Sequence, residues 1–402
     1  MFLGIIFGLV IKNIAIDQGV KHFIVNNVLD TGGMIFITLI KMLVVPVVLV
    51  SLICGVSALK DLKSLGRIGI KTLLLYILTT AAAIALALCF AEFFQVGHSS
   101  SVAISNAKYV HTSIPSLKQT ILNMFPHNPF EALHQGNMLQ IIVFALLFGI
   151  AMVKSGKAGE RMTARFNDLD KIIMSFITMI MKTAPVGVFF LLSSLFAKMG
   201  VGLIQELLSY FLVVLLVLAV QLVFVYSAFI RVFGGLNPIT FIKKMYSAML
   251  FAFSISSSSA SIPTVLDTVE NKLGVKNSVA SFVIPLGATV NMDGTAIMQG
   301  VATVFISHIY NIHIGLTGYL TVIFMATVAS IGTAGVPGVG LITLAMVLHQ
   351  VGLPVEGVGL IIGVDRLLDM ARTAVNVAGD AMIACIVANS ENQIDEDVFN
   401  GS

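Results

Sequence analysis

The chain has 402 residues, of which 57% are hydrophobic and 11% are charged, and its formal net charge is +3. Soluble domains carry about 25% charged residues, so this composition argues against a soluble protein and predicts a polytopic membrane protein. The small net charge provides no electrostatic footprint for nucleic acid. The three cysteines stand singly within apolar runs, which predicts neither a disulfide framework nor a metal site.

Apolar runs predict six membrane spans in the first part of the chain, at residues 2–16, 32–58, 69–94, 137–153, 170–197 and 203–230. Basic residues concentrate in the loops after the second, fourth and sixth of these runs, whereas the intervening loops contain few. The positive-inside rule therefore predicts that both termini lie in the cytoplasm. Later apolar stretches contain serine and glycine clusters, and they cover residues 245–263, 279–306, 318–348 and 357–389.

Two of these later stretches are interrupted by small residues, in AFSISSSSASIPT at 252–264 and in ASIGTAGVPGVG at 329–340. Each interruption leaves two arms that are too short to cross a bilayer separately, which favours re-entrant hairpins whose tips meet inside the membrane. Irregular backbone at that depth is tolerated where it is buried in protein or lines a cavity. Breaks at corresponding positions are typical of an inverted repeat around a transport site. Close packing of small residues between helices is the alternative interpretation.

Between the hairpins, the motif NMDGT places Asn291, Asp293, Gly294 and Thr295 inside an apolar stretch. Gly294 predicts local unwinding, which would free backbone carbonyl groups. Together with Asn291 and Asp293 these carbonyls would supply hard oxygen ligands, the kind that suit a small hard cation. An ordinary turn is the alternative interpretation, because Asx-Gly pairs are also common in turns.

The segment GVDRLLDMARTAVNVAGD, at 363–380, carries polar residues at gaps of 4, 3, 4 and 4, namely Asp365, Asp369, Arg372, Asn376 and Asp380. At about 100° per residue they fall within roughly an 80° arc of one helical face. Arg366 lies beside this face. An amphipathic surface helix is the alternative, but the flanking sequence is apolar, and one ionised side chain costs about 2.5–3.5 kcal/mol at the bilayer centre. The pattern therefore predicts a polar binding site inside the membrane.

The serine-rich hairpin, NMDGT, SIGTAGVPGVG and DRLLDMARTAVNVAGD occur in this order along the chain. In these motifs, and over essentially its whole length, the chain resembles the dicarboxylate/amino acid:cation symporters. This family contains bacterial glutamate/aspartate transporters, which are relatives of the neuronal excitatory amino acid transporters. The resemblance implies an all-α membrane protein of the glutamate-transporter fold, with eight transmembrane helices, two re-entrant helical hairpins and inverted repeats. It also implies a homotrimer that works by an elevator mechanism.

The resemblance also implies a division of the chain into a scaffold and a transport domain. The scaffold would comprise residues 1–68, with spans 1 and 2, and residues 95–200, with the external loop and spans 4 and 5. The transport domain would comprise span 3, at 69–94, and residues 201–390, with span 6, both hairpins and spans 7 and 8. Residues 391–402 would form a cytoplasmic tail.

By the same resemblance, Asp369 would bind the substrate amino group and Arg372 its side-chain carboxylate. The complete substrate set would be Ser257, Ser258, Thr295, Ala334, Val336, Gly340, Asp369, Arg372, Thr373 and Asn376. A first sodium site would use Gly287, Asn291, Asn376 and Asp380. A second would use Thr289, Ser330, Ile331 and Thr333, and a third Tyr76, Thr79, Thr80, Asn291 and Asp293.

The chain departs from part of the family at one position. Some members carry an arginine in the first hairpin where Ser256 stands here, whereas this chain has Arg366 beside Asp365, as many bacterial members do. Three roles remain open for Arg366: an ion pair with Asp365, a contribution to the electrostatic field of the pocket, or a proton-linked group.

These features predict a secondary active symporter, not an enzyme, that takes up glutamate or aspartate across the cell inner membrane with sodium and uses no prosthetic group. Proton coupling is an alternative, as is transport of cystine. A carrier of C4-dicarboxylates would not need Asp369, and a carrier of neutral amino acids would not need Arg372. A channel is a further hypothesis. An intramembrane aspartyl protease, using Asp293 and Asp369, is disfavoured because the sequence has no paired catalytic motif of that kind. The expected partners are the substrate, sodium ions, the lipid bilayer and two further copies of the chain, with no nucleic acid.

Overall fold

A computed structural model of the protein describes residues 2–14, 17–58, 62–98, 125–199, 202–330 and 338–401. Within these ranges the regular secondary structure is helical, and an isolated β-bridge joins Val275 to Ile394. The prediction of an all-α fold is therefore confirmed for the part of the chain that the structure describes.

The first half of the chain forms helices α1 (Phe2–Asn13), α2 (Gln18–His22), α3 (Asp30–Ala58), α4 (Leu62–Phe93), α5 (Pro129–Gln135), α6 (Met138–Lys154), α7 (Lys157–Met181) and α8 (Ala184–Met199). The second half forms α9 (Gly202–Val220), α10 (Tyr226–Val232), α11 (Pro238–Ile255), α12 (Ser258–Asn271), α13 (Asn277–Val290), α14 (Asp293–Ile309), α15 (Gly315–Ser330), α16 (Val339–Gln350), α17 (Val358–Ser390) and α18 (Glu396–Asn400). A π-helical segment, Phe23–Leu29, precedes α3, and another, Gln221–Val225, joins α9 to α10. A single 3-10 turn, Val355–Gly357, leads into α17.

Three helical stretches of the described residues are long and apolar enough to cross a membrane, namely Arg67–Phe93, Gln205–Val232 and Val355–Ser390. A fourth span is formed if Lys157–Ile180 and Pro185–Lys198, which meet at a 51° bend, cross together. Shorter apolar helices include Gln140–Lys154, Gly315–Ser330 and Val339–Gln350. The helical lengths therefore agree with a polytopic membrane protein.

The first predicted interruption is a helix break at Ser256 and Ser257. Ser256 adopts a left-handed conformation, with φ of +56°, and ends α11. Ser257 is extended, and its hydroxyl oxygen accepts a hydrogen bond from the amide of Ala260 at 3.2 Å, so that it caps α12. A serine cap satisfies one of the amide groups that the start of a helix leaves without a partner. The two helices pack against each other.

The second predicted interruption separates α15, which ends at Ser330, from α16, which begins at Val339. Gly338 precedes α16 in a left-handed conformation, with φ of +86°, a region that glycine adopts at little cost. Residues 331–337, between these two helices, lie outside the described residues. The two flanking helices contact each other.

A third break separates α13 from α14. The sequence predicted unwinding at Gly294, but the non-helical residues are Asn291 and Met292, three and two positions earlier. Gly294 lies in the first turn of α14 and has a packing role. A Cβ atom there would lie 2.6 Å from the carbonyl oxygen of Arg372 and 2.9 Å from its Cα atom. The missing side chain therefore lets the start of α14 approach the middle of α17.

Two groups of helices can be distinguished by their packing. Helix α3 packs against α6, α7 and α8, and α1 packs against α8. Helix α17 packs against α9, α11, α12, α13 and α14, while α4 packs against α14 and α15. Most of α14 and the second half of α17 are buried. These two helices therefore form the centre of the second group.

Glu391, directly after α17, connects the end of that helix to α4. Its carboxylate lies 2.5 Å from Nη2 of Arg67 and 2.5 Å from Nζ of Lys71. Lys71 also donates a hydrogen bond to Oγ of Ser390 at 3.0 Å. Hydrogen bonds from Lys71 and Arg67 hold the pKa of the Glu391 carboxyl below its ordinary value of 4.5.

We expect Glu391→Gln to lower the thermal unfolding midpoint at neutral pH, because both ion pairs are lost. A lowered folded-state pKa means that the ionised carboxylate stabilises the fold above pH 4.5 and loses this effect as the pH falls through the folded-state value. The difference between wild type and variant should therefore shrink in acid. Asp168→Asn removes an exposed ion pair with Lys171 and should change little. If the difference in unfolding midpoint between wild type and Glu391→Gln did not vary with pH, this explanation would be contradicted.

Candidate functional site

Asp293, the first residue of α14, is fully buried and is surrounded by hydroxyl groups. Its Oδ1 accepts a hydrogen bond from Oγ1 of Thr80 at 2.7 Å, and Oγ1 of Thr79 lies 3.5 Å from the same oxygen. Its Oδ2 accepts a hydrogen bond from the hydroxyl of Tyr226 at 2.8 Å. Helices α4 and α10 thus both supply donors to a carboxylate at a helix N-terminus, where a negative charge is also favoured by the helix dipole.

A second buried carboxylate, Asp380 of α17, belongs to the same cluster. Its Oδ1 accepts a hydrogen bond from Nδ2 of Asn291 at 3.0 Å, and Oδ1 of Asn291 accepts one from Thr79 at 3.3 Å. Gly287 makes room for this arrangement, because a Cβ there would overlap the Asp380 carboxylate and lie 2.6 Å from the hydroxyl oxygen of Tyr76. That hydroxyl donates to the carbonyl oxygen of Val283 at 2.8 Å.

The chemistry of this cluster suits a small hard cation. It combines two buried carboxylates with amide, hydroxyl and backbone oxygen atoms, which are the ligands that such cations prefer. Within the described ranges, neither Asp293 nor Asp380 forms an ion pair with a basic side chain. Burying a carboxylate is costly unless the charge is compensated, and a bound cation would compensate it.

Asn376 of α17 connects this cluster to the break before α14. Its Oδ1 accepts a hydrogen bond from the amide of Gly294 at 2.7 Å, and its Nδ2 lies 3.4 Å from the sulfur of Met292. On α17, Asn376 is one turn from Asp380 and one turn from Arg372. It therefore lies between the carboxylate cluster and the charged residues described next.

Arg372 is almost completely buried and lies between two carboxylates of its own helix. Its Nη1 is 2.9 Å from Oδ1 of Asp365, and its Nη2 donates to Oδ1 of Asp369 at 2.8 Å. Thr373 donates its hydroxyl hydrogen to the backbone carbonyl of Asp369 at 2.7 Å. Among the described residues, Nε of Arg372 has no hydrogen-bond acceptor. A guanidinium group with an unused donor can bind a further carboxylate.

One of the predicted pocket residues, Gly340, lies close to this arginine. A Cβ at Gly340, near the start of α16, would be 3.6 Å from Nη1 of Arg372 and 3.1 Å from Cγ2 of Thr295. Gly340 therefore lies against both side chains. Ser257 and Ser258 are buried at the start of α12, which packs on α17.

Two of the residues predicted for the second sodium site, Thr289 and Ser330, lie near the end of α13. Thr289 donates a hydrogen bond to the carbonyl of Leu286 at 3.0 Å, and Ser330 lies 3.3 Å from the carbonyl oxygen of Val290. The remaining predicted residues, Ile331, Thr333, Ala334 and Val336, lie outside the described residues.

Arg366 is exposed, and the ion pair of Asp365 is formed with Arg372. Asp365 and Arg372 are seven residues apart, which places them close to the same face of a helix, whereas adjacent residues are about 100° apart. The structure therefore disfavours an Asp365 ion pair as the role of Arg366.

Two residues that contact Asp293 were missed by the sequence analysis. Tyr226 donates the hydrogen bond described above, and Nε2 of Gln221 lies 3.5 Å from Oδ2 of Asp293. Both lie in one apolar run, where a single tyrosine or glutamine has no distinguishing spacing. A π-helical segment is not readable from hydrophobic periodicity, so the sequence contained no pattern that identifies them.

The chain matches the model of the sodium:dicarboxylate symporter family over residues 1–390. The chain belongs to this family. It is 36% identical to the proton/sodium-glutamate symport protein of Bacillus caldotenax, with 99% of this chain and 95% of that protein covered. It is 34% identical to the proton/glutamate-aspartate symporter of Escherichia coli, with 98% and 92% covered. It is also 32% identical to the C4-dicarboxylate transport protein of Yersinia enterocolitica, with 90% and 86% covered.

Membership confirms the resemblance that the four motifs predicted. The symporter is a membrane transport protein and not an enzyme, because both the family and these relatives are transporters. The aspartyl protease hypothesis is therefore wrong.

Proposed function

We propose that this symporter takes up an acidic amino acid, glutamate or aspartate, and couples its uptake to sodium. The observation that carries the proposal is the joined arrangement on α17. Arg372 and Asp369 lie about two and three turns from Asp380, and Asn376, between Arg372 and Asp380, accepts a hydrogen bond from Gly294 in the first turn of α14, which begins at Asp293. One helix would thus carry both residues that bind the charged groups of the substrate and residues that bind the cation.

The charges around Arg372 match an acidic amino acid. Arg372 would pair with the side-chain carboxylate, and Asp369 with the amino group. Thr373, Asn376, Thr295, Gly340, Ser257 and Ser258, with backbone at Ala334 and Val336, would complete the pocket. The Bacillus caldotenax and Escherichia coli relatives are both named for glutamate transport, which supports this substrate class. A C4-dicarboxylate, which the Yersinia relative carries by name, would leave Asp369 without a cationic partner.

The cluster of oxygen atoms around Asp293 and Asp380 supports sodium as the coupling ion. The names of the family and of the Bacillus caldotenax relative both include sodium. Three sites are proposed, as the resemblance implied. The first comprises Gly287, Asn291, Asn376 and Asp380. The second comprises Thr289, Ser330, Ile331 and Thr333. The third comprises Tyr76, Thr79, Thr80, Asn291 and Asp293.

The proposal extends to the architecture. The symporter would have eight membrane spans and two re-entrant hairpins, with α11–α12 and α15–α16 as the hairpins. It would form a trimer in the cell inner membrane with both termini in the cytoplasm. The packing of α1, α3, α6, α7 and α8 on one another supports a scaffold, and the packing of α4, α9 and α11–α17 on one another supports a transport domain that moves as an elevator. The two groups meet where α3 contacts α16 and α8 contacts α17.

Uptake of radiolabelled glutamate into proteoliposomes tests the function. We expect accumulation above the external concentration under an inward sodium gradient, and none when choline replaces sodium. A pH gradient imposed without sodium should drive no uptake. Accumulation under the pH gradient alone would instead support a proton-coupled glutamate symporter. The names of the Bacillus caldotenax and Escherichia coli relatives both include protons. Equilibration without accumulation would support a channel.

A further inference from the structure

The π-helical segment Gln221–Val225 lies where the second group of helices meets Asp293. Gln221 is the first residue of this segment, and Tyr226 comes directly after its last residue. Both side chains are almost completely buried. Both reach the same atom, Oδ2 of Asp293, at 3.5 Å from Nε2 of Gln221 and 2.8 Å from the hydroxyl of Tyr226. Neither residue belongs to the three sodium sites proposed above.

The π-helical turn explains how one helix delivers both side chains to one oxygen atom. In an α-helix, residues five apart point about 140° away from each other. Here the amide of Tyr226 donates to the carbonyl of Gln221, which is the i to i+5 bond of a π-helix. That bond places the two residues one above the other. Single π-helical turns inside α-helices are frequent at functional sites.

A glycine on α17 completes the arrangement. A Cβ at Gly379 would lie 2.6 Å from the hydroxyl oxygen of Tyr226 and 2.9 Å from Nδ2 of Asn291. The hydroxyl also lies 3.3 Å from the carbonyl oxygen of Val375. The tyrosine therefore fits against a helix that has no side chain at the point of contact, and packing fixes the position of its hydroxyl group.

We propose that Tyr226 and Gln221 are positioning residues for the coupling cation. They hold Oδ2 of Asp293, so that Oδ1 faces Thr79 and Thr80, the two hydroxyl groups of the third proposed sodium site. Residues that hydrogen-bond to a ligating carboxylate fix its orientation and commonly change metal affinity by about 10–100-fold when they are lost. This inference rests on the proposed sodium coupling and adds residues that act through Asp293 and not on the ion itself.

The test compares Tyr226→Phe with wild type in purified protein. One measurement is the thermal unfolding midpoint as NaCl replaces choline chloride at constant ionic strength, without substrate. The other is the sodium concentration that gives half-maximal binding of radiolabelled glutamate. We expect the half-maximal sodium concentration to rise about tenfold in both measurements. Glutamate affinity at saturating sodium should change by less than about twofold, because Tyr226 acts through the cation ligand.

Tyr210→Phe is the matched control. Tyr210, on the preceding helix α9, is also fully buried, but its hydroxyl has no hydrogen-bond partner among the described residues. Loss of the Tyr210 hydroxyl should leave the half-maximal sodium concentration unchanged in both measurements. Gln221→Met provides a second variant, with a smaller rise expected because its contact with Asp293 is longer.

The outcomes separate the two proposals. A wild-type protein that does not respond to sodium overturns both the proposed coupling and this inference. A wild-type response that is retained at the same sodium concentration in Tyr226→Phe and Gln221→Met overturns this inference alone. An equal shift in Tyr210→Phe also overturns it, because the effect would then reflect general disturbance of the helix.

Discussion

Arg372→Ala is expected to abolish uptake of glutamate and aspartate and to shift the preference of the symporter toward neutral amino acids. Truncating one partner of a buried, hydrogen-bonded charge pair across a binding interface costs about 2–5 kcal/mol of binding free energy, which corresponds to roughly 30-fold or more in affinity. Arg372 is almost fully buried and pairs with both Asp365 and Asp369. Its loss removes the only side chain proposed to pair with a substrate carboxylate, while Asp369 remains to bind an amino group.

Competition with labelled glutamate and direct uptake of labelled serine in proteoliposomes measure the two parts of this result. Thermal unfolding of the purified variant separates lost binding from lost folding, and Arg372→Lys retains the charge if alanine proves too destabilising. Arg366→Ala is the matched control, because it removes the same charge from an exposed position of the same helix. Unchanged glutamate uptake by Arg372→Ala, with no gain of neutral substrates, would contradict the proposed role.

Asp293→Asn is expected to remove sodium-driven uptake. The carboxylate accepts hydrogen bonds on both oxygen atoms, from Thr80 and from Tyr226. An amide in its place would present an NH2 group to one of these donors and would remove the negative charge that a cation needs. We expect sodium affinity to fall on the order of 100-fold, a loss of about 3 kcal/mol.

Sodium titration of uptake and of thermal stability measures this effect. Asp267→Asn makes the same chemical change at an exposed position, where the carboxylate accepts a hydrogen bond from Asn271. It should leave the titrations unchanged. A wild-type sodium dependence in Asp293→Asn would show that the cluster around Asp293 is not part of the coupling site.

The helical character and the breaks of the fold could be predicted from the sequence. Both depend on local composition: long apolar runs form helices, and the serines at 256 and 257 end one helix and cap the next. The exact position of the break in NMDGT could not be predicted. A glycine permits unwinding, but it also permits close approach of two helices. In the structure, Gly294 is helical and lets α14 approach Arg372 closely.

The site was predictable to the extent that its residues share one helix. Helical spacing placed Asp365, Asp369, Arg372, Asn376 and Asp380 on one face, and it also explains why Arg372 and not Arg366 pairs with Asp365. Contacts between helices were not readable in this way. Thr79 and Thr80 entered only through the resemblance. Tyr226 and Gln221 depend on a π-helical turn and on Gly379, which are tertiary features.

In the proposed pocket, the ion pair between Arg372 and Asp369 makes substrate entry an exchange of partners. The arginine would exchange its bond to Asp369 for bonds to a substrate carboxylate, to which it also offers its unused Nε, while Asp369 would gain the amino group. The remaining pair with Asp365 makes this exchange asymmetric. A ligand with only an amino group still leaves the arginine with a counter-ion, whereas a ligand with only carboxylates leaves Asp369 without one. The proposed site would therefore exclude a dicarboxylate without an amino group more strongly than an amino compound without a second carboxylate.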